Sequence, residues 1–185
     1  MSVTMEDLYS LEMHKHRLSA WAASRAASAS PKCRFKVKQG FAILEGAGFD
    51  SAFQLVNMQS PKEVDRSHKK WRVAVIKQAD KQGLDFTHGI AAKLINCYLK
   101  TRFVCGGANE KDIKYLHPPI DALLLDQLKK NNVGGQKKSW KNYADARWSK
   151  FSNDTYESVI ASIKLVMKDE PLWEIEKYWV GFQDS

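Results

Sequence analysis

Lys93 and Asp121 are the two residues whose types and setting most readily support chemistry. Stepped at roughly 100° per residue, Lys93, Asn96 and Lys100 share an arc of about 60° on one helix. Ile90, Ala91, Ala92, Leu94, Ile95, Cys97, Tyr98 and Leu99 cover most of the rest. A lysine on the polar stripe of so apolar a helix either snorkels its head into solvent or sits in a cleft, where desolvation favours the neutral, nucleophilic amine. Asp121 follows 28 residues later, after Pro118-Pro119-Ile120, at the start of another apolar helix. The helix dipole alone favours an acid there, and a carboxylate pinned by two prolines is also well placed to face a cleft. His117 adjoins the same segment and is a candidate substrate contact. His14-Lys15-His16 has the form of a metal pair, but residues two apart on a helix point to different faces, and no acid or cysteine cluster surrounds them. No metal and no cofactor is expected. His68 and His88 read as core or capping residues, and no phosphate-binding loop, dinucleotide glycine motif or G-x-S-x-G elbow is present.

The elements that must position these groups are helical. Leu8, Leu11, Leu18, Trp21 and Arg25 follow helical spacing, with Pro31 as a stop beyond the Ala/Ser-rich run. Val37, Phe41 and Leu44 mark a short helix ended by Gly46 and Gly48, and a third is expected over about Ser51 to Met58. Ser60-Pro61-Lys62-Glu63 combines a capping serine, a first-turn proline and a capping-box acid. The face that follows is Val64, His68, Trp71 and Val75, and Gly83 closes it. Thr87 caps the Lys93 helix, expected over about His88 to Phe103. After the Gly106-Gly107 loop, Ile120, Leu123, Leu124 and Leu128 face the core. NNVGGQKKS reads as a flexible basic loop, and Trp140, Tyr143, Ala144, Arg147, Trp148 and Phe151 as one helix. A helix follows Asn153-Asp154, and a last short one follows Pro171. β-branched residues never cluster and no stretch alternates for long, so the expectation is an all-α fold of eight to ten helices without a sheet.

The stretch Gly89-Ile90-Ala91-Ala92-Lys93-Leu94-Ile95-Asn96-Cys97-Tyr98, then a loop, then Pro118-Pro119-Ile120-Asp121, resembles the catalytic core of helix-hairpin-helix DNA glycosylases. It is most similar to the 8-oxoguanine branch, including its archaeal type. In that family a G-x-x-x-K helix supplies a lysine and a downstream P-x-D segment an aspartate. The resemblance implies a two-lobed helical domain over residues 1–185, with its central core about 60–130. It also implies excision of a damaged or modified base from duplex DNA. Lys93 would attack the sugar C1′ and form a Schiff base, and Asp121 would steady the developing oxocarbenium ion or assist the amine. Gly89, Asn96, Lys100 and His117 complete the expected substrate- and DNA-contacting set. The family's hairpin usually reads L-P-G-x-G, whereas Phe86-Thr87-His88-Gly89-Ile90-Ala91 keeps one glycine. No four-cysteine cluster follows Asp121, so the iron–sulfur branches fit poorly.

Charge agrees with a polyanionic partner. The 185 residues carry 29 Lys or Arg against 21 Asp or Glu, a formal net charge of +8. Between Met13 and Leu44 there are seven basic residues and no acid, and between Lys129 and Lys150 seven more against Asp145 alone. Clustered cations of this kind release phosphate counterions and steer nucleic acid, so double-stranded DNA is the expected partner, with Lys137 and Lys138 among its contacts. An ordinary solvated basic face is the competing explanation. A hydrophobic content of 44% argues against disorder, and three cysteines without a CxxC pair argue against a disulfide framework or cysteine zinc knuckle. No apolar run is long enough for a membrane span and no signal-peptide pattern begins the chain, so a cytoplasmic location is expected. Two rival functions use the same features: a non-catalytic basic module that binds nucleic acid, and a helical protein-interaction domain.

Overall fold

The structure, a computed structural model, describes residues 9–28 and 33–182; Leu8, Pro31 and Lys32 of the sequence reading lie outside them. Among the described residues there are eight α-helices joined by short turns, and no strand. The chain runs through α1 (Leu11–Ala27), α2 (Val37–Gly46), α3 (Pro61–Lys81) and α4 (His88–Leu99). It continues through α5 (Glu110–Ile113), α6 (Ala122–Lys130), α7 (Lys137–Ala146) and α8 (Asn153–Met167). A 3-10 segment, Leu172–Tyr178, closes the described chain.

Helix α4 is the axis. Thr87 Oγ1 accepts the N–H of Ile90 at 3.1 Å to start it, and it runs directly into a single π turn at Lys100–Val104. Ile90, Leu94, Ile95, Tyr98 and Leu99 are all buried, as the apolar circumference requires. At about 1.5–3 kcal/mol for each large apolar side chain removed from water, this set outweighs the cost of carrying a few hydrogen-bonded polar groups inside with it. Accordingly, Lys93 is only 7% exposed and Asn96 is fully buried.

Two hydrophobic clusters meet on α4. The first joins α1, α2 and α3 around Ile43, Leu44, Phe49, Val75 and Tyr98. The second joins α6, α7, α8 and the 3-10 segment around Leu124, Trp140, Ile160 and Ile163, and takes Ala92 from α4. Trp148 packs against both.

Several elements depart from the sequence reading for identifiable reasons. On α1, Leu11, Leu18 and Trp21 are 66%, 53% and 54% exposed, while Ser19, Ala20, Ala23, Ser24 and Ala27 are buried. Small residues win that face because they permit close approach: a Cβ on Gly40 of α2 would stand 2.2 Å from Ser24 Oγ. The segment from Ser51 to Met58 is irregular rather than helical. The carbonyls of Asp50 and Ser51 accept from the Arg102 guanidinium, and the one local bond to the Asp50 carbonyl, from the Phe53 N–H at 3.2 Å, closes a single turn that goes no further. Leu123 points outward and Leu125 takes its place in the core. Lys137 and Lys138 open α7 instead of lying in a loop, with the Lys137 N–H held by Asn132 Oδ1 at 3.1 Å. That helix ends at Ala146, because Arg147 adopts a φ of +63°, and Trp148 starts a separate 3-10 turn.

Candidate active site

Lys93 and Asp121 meet. The lysine Nζ lies 2.8 Å from Asp121 Oδ2, with the lysine side chain 8% and the aspartate side chain 20% exposed. Asp121 is the N-cap of α6: its Oδ1 accepts the N–H of Leu124 at 2.9 Å, and its Oδ2 also accepts the Trp179 indole N–H at 3.1 Å. One carboxylate is thus held by a helix end, an indole and an ammonium. Burial acts to raise its pKa, but Lys93, the Leu124 N–H and Trp179 together hold it below the usual aspartate value.

The pair opens onto a cleft of about 210 Å³ between α1, α4 and the C-terminal segment. Ala22 and Ala26 of α1 form one wall and leave it open, and Cys97, Lys100, Pro119, Glu176 and Trp179 contribute to the others. Lys100 Nζ pairs with Glu176 at 2.7 Å and stands 5.7 Å from the centre of the Trp179 ring. Burial raises the Glu176 pKa, with Lys100 opposing it. On its other side Lys93 Nζ is 5.8 Å from the Trp148 ring. Trp148 also lines a second pocket of about 360 Å³ with Ala122, Leu125, Arg147 and Lys150. The arrangement offers an amine, a fixed carboxylate and the Trp179 indole at an opening smaller than the roughly 300–1,000 Å³ of most ligand sites.

The other residues singled out from sequence separate into four groups. Lys100 shares the Lys93 cleft. Gly89 is packed away: its N–H donates to the Phe151 carbonyl at 3.2 Å, and a Cβ there would meet the Trp148 carbonyl oxygen at 1.8 Å. The close approach of the 148–150 turn, rather than a phosphate, accounts for that glycine. Asn96 and His117, expected at the substrate, lie in a hydrogen-bonded network behind α4: Asn96 is fully buried, and His117, with Asp65 and Arg72, lines a separate pocket of about 250 Å³ away from the Lys93 cleft. Lys137 lines a shallow groove between α6 and α7 with Lys129, Lys130 and Lys141, apart from the Lys93 cleft, and Lys138 is exposed beside it.

The same network holds residues that sequence reasoning did not connect. Arg72 NH1 donates to His68 Nδ1 at 2.7 Å, so His68 carries its proton on Nε2 and donates to Asn96 Oδ1 at 2.6 Å. Asn96 Nδ2 donates to the Pro118 carbonyl at 2.9 Å and to Tyr156 Oη at 3.0 Å. Tyr156 then donates to His117 Nδ1 at 3.0 Å, and His117 Nε2 to Asp65 Oδ1 at 2.9 Å. Lys164 closes the chain on Asp65 at 2.5 Å. Burial holds the pKa of His68 well below the usual histidine value, with His117 and Arg72 adding to it. His117 is lowered by burial too, against the pull of Asp65. The legible signal was Asn96 itself: an amide on the polar arc of a helix buried all round must find buried partners.

Among the described residues no group of three His, Cys, Asp or Glu side chains is arranged to hold a metal ion, and no helix is long and apolar enough to cross a membrane. No protein-family model, curated protein or solved structure matches the chain.

Proposed function

We propose that this chain is a DNA glycosylase-like enzyme of two helical lobes that excises a damaged or modified base from duplex DNA. Lys93 is its attacking amine and Asp121 the carboxylate that steadies the transition state. The observation that carries the reading is the Lys93–Asp121 contact of 2.8 Å at the edge of a cleft, formed by two residues 28 apart in sequence. Their spacing and setting also carry the family resemblance.

The chemistry follows from the charges. In a duplex the sugar C1′ and the base face are hidden, so the nucleotide must leave the stack, and the cleft at Lys93 has room for little beyond one extruded base or its sugar. As the C1′–N bond breaks, its electron pair leaves with the base and the ammonium of Lys93 supplies the proton the base needs. Asp121 stays ionised and its negative charge faces the oxocarbenium ion. The amine freed by that transfer attacks C1′ with its lone pair. The second amine proton passes to the ring oxygen O4′, which takes the C1′–O4′ electron pair as that bond breaks, and the opened sugar remains on Lys93 as a protonated Schiff base. Trp148 and Trp179 exclude water on either side of the pair, and the cations of the basic segments hold the bent backbone.

Incubation with duplexes carrying oxidised purines, other modified bases or abasic sites, in the presence of borohydride, is expected to leave a covalent protein–DNA adduct. Lys93→Gln should lose it, since glutamine, one atom shorter, keeps a polar donor near Asp121 but has no nucleophilic amine. Salt-sensitive duplex binding with no base release and no adduct would instead assign a non-catalytic binding module. Absence of duplex binding would leave a protein-interaction domain.

A further inference from the structure

We infer that Asn96 is a positioning residue that sets where Asp121 stands relative to Lys93, and that the buried chain from Arg72 to Asp65 exists to fix the Asn96 amide. The inference deepens the proposed reaction and rests on it only for its effect on rate. The geometric part stands alone.

Residues 116–120 have no regular secondary structure, yet Leu116, His117 and Ile120 are buried. Pro118 and Pro119 carry no N–H, so this stretch has few directional handles by which its backbone can be held. One is the Pro118 carbonyl, and it accepts from Asn96 Nδ2 at 2.9 Å. The contacts pair off along α4: Lys93 with Asp121, and Asn96 with Pro118, three residues apart on each strand and in opposite directions. The segment is therefore tied to one helix at two points. The Asn96 bond fixes the near end of a short, proline-stiffened lever whose far end carries the carboxylate.

An amide can hold a carbonyl only if its nitrogen faces it, and here every other partner enforces that orientation. Arginine can only donate, so Arg72 makes His68 Nδ1 an acceptor and its Nε2 a donor. That donor claims the Asn96 oxygen and turns both amide hydrogens toward Pro118 and Tyr156. Tyr156 accepts one of them and passes its own hydrogen to His117, the residue next to Pro118 in the chain. His117 donates onward to Asp65, which Lys164 keeps as an acceptor. Arg72 is in turn held by Asn153 at 2.8 Å and Glu157 at 3.1 Å. A chain of donors with one direction leaves the amide no alternative flip, and two consecutive residues of the lever, His117 and Pro118, are both gripped by it.

The test reads Asp121 directly. The side-chain carboxyl of Asp121 is followed by NMR through a pH titration in the full-length protein, in Asn96→Leu and in Ile163→Ala. The last variant opens the second core without touching the chain and controls for general loosening. Asn96→Leu is expected to move the Asp121 titration upward to the ordinary aspartate range, as separation from Lys93 removes its stabilisation. Ile163→Ala should leave it in place at a comparable loss of melting temperature. In the base-release assay Asn96→Leu should lower kcat at least tenfold, with DNA affinity within about twofold. If the full-length protein releases no base but the titration moves as stated, the positioning holds and the reaction does not. An Asp121 titration that is unmoved in Asn96→Leu, or equally moved in both variants, overturns the inference. Should Asn96→Leu not fold, the unaltered protein decides. A through-hydrogen-bond coupling between Asn96 Nδ2 and the Pro118 carbonyl carbon supports the inference, and its absence overturns it.

Discussion

One turn of α4 separates two polar groups with opposite fates. Lys93 reaches the rim of a cleft, where its partner Asp121 is partly exposed and two indoles stand close by. Asn96, three residues on, is sealed among His68, Tyr156 and the Pro118 carbonyl. Both sit on the arc that sequence periodicity marks as polar, yet that arc is not a solvent-facing stripe. On a helix buried all round, a polar residue either opens a site or locks the framework behind it. The cleft retains a charged pair at its edge, and the network spends the donors and acceptors of Asn96 internally while its outer members line a second pocket.

That contrast is open to attack from both sides, and the largest effect falls on the cleft. Lys93→Gln should abolish the trapped adduct outright while duplex affinity stays within about threefold, since catalysis and backbone binding use different groups. Asp121→Asn should slow base release about a hundredfold or more, because it removes a charge aimed at a cationic transition state. Asparagine caps a helix about as well as aspartate, so α6 should persist, while the melting temperature should fall because the buried Lys93 loses its counter-charge. Loss of folding in that variant would recast Asp121 as a purely structural group.

Next come effects on the framework. Gly89→Ala should destabilise by on the order of 3 kcal/mol, as its Cβ collides with the Trp148 carbonyl and pushes the 148–150 turn from α4. A denaturant titration with an unchanged midpoint would show that turn to be loosely held. The buried histidines of the network should also make stability sensitive to pH. His68 and His117 have pKa values lowered by burial below the usual 6.5, so the unfolded chain binds protons the folded chain refuses. Stability contributed by their neutral forms is complete above about pH 6.5 and is lost as pH falls below it, by up to about 1.4 kcal/mol per pH unit for each histidine. His68→Phe should flatten the melting-temperature profile between pH 6.5 and 5. Smallest of all, Lys137→Glu with Lys138→Glu should weaken duplex binding several-fold and reduce the salt slope by about 1 per lost phosphate contact. An unchanged slope would remove the α6–α7 groove from the binding face.

Much of this was legible in the sequence, and the failures share a cause. The capping serine and threonine at Ser60 and Thr87 start helices as read, because a cap is local chemistry. Burial of α4 followed from its circumference, and Lys93 and Asp121 stood out one at a time, as a lysine on the polar arc of an apolar helix and an acid at a proline-led helix start. The network was hidden because its members at 68, 96, 117 and 156 come from four separate segments, and each alone reads as an ordinary core or capping residue. Ser51 to Met58 failed for the same reason: Arg102, about fifty residues downstream, claims the backbone carbonyls a helix would have used. On α1 the large apolar residues suggested the buried face, but the small ones took it, since helix approach distance depends on what the partner helix presents. Arg147 illustrates the limit of periodicity: a helical pattern continued through it, while a left-handed residue redirected the chain and placed Trp148 beside Lys93.

The assignment of Lys93 as the nucleophile is tested most directly in the unaltered protein. Borohydride-trapped adduct is formed on a duplex bearing an abasic site, digested and mapped by mass spectrometry. The modified peptide should span Lys93, with the mass of a reduced sugar remnant on its Nζ and no modification elsewhere. An adduct mapped to Lys100 or another amine, or no adduct on any abasic, damaged or modified duplex that the protein binds, would contradict it.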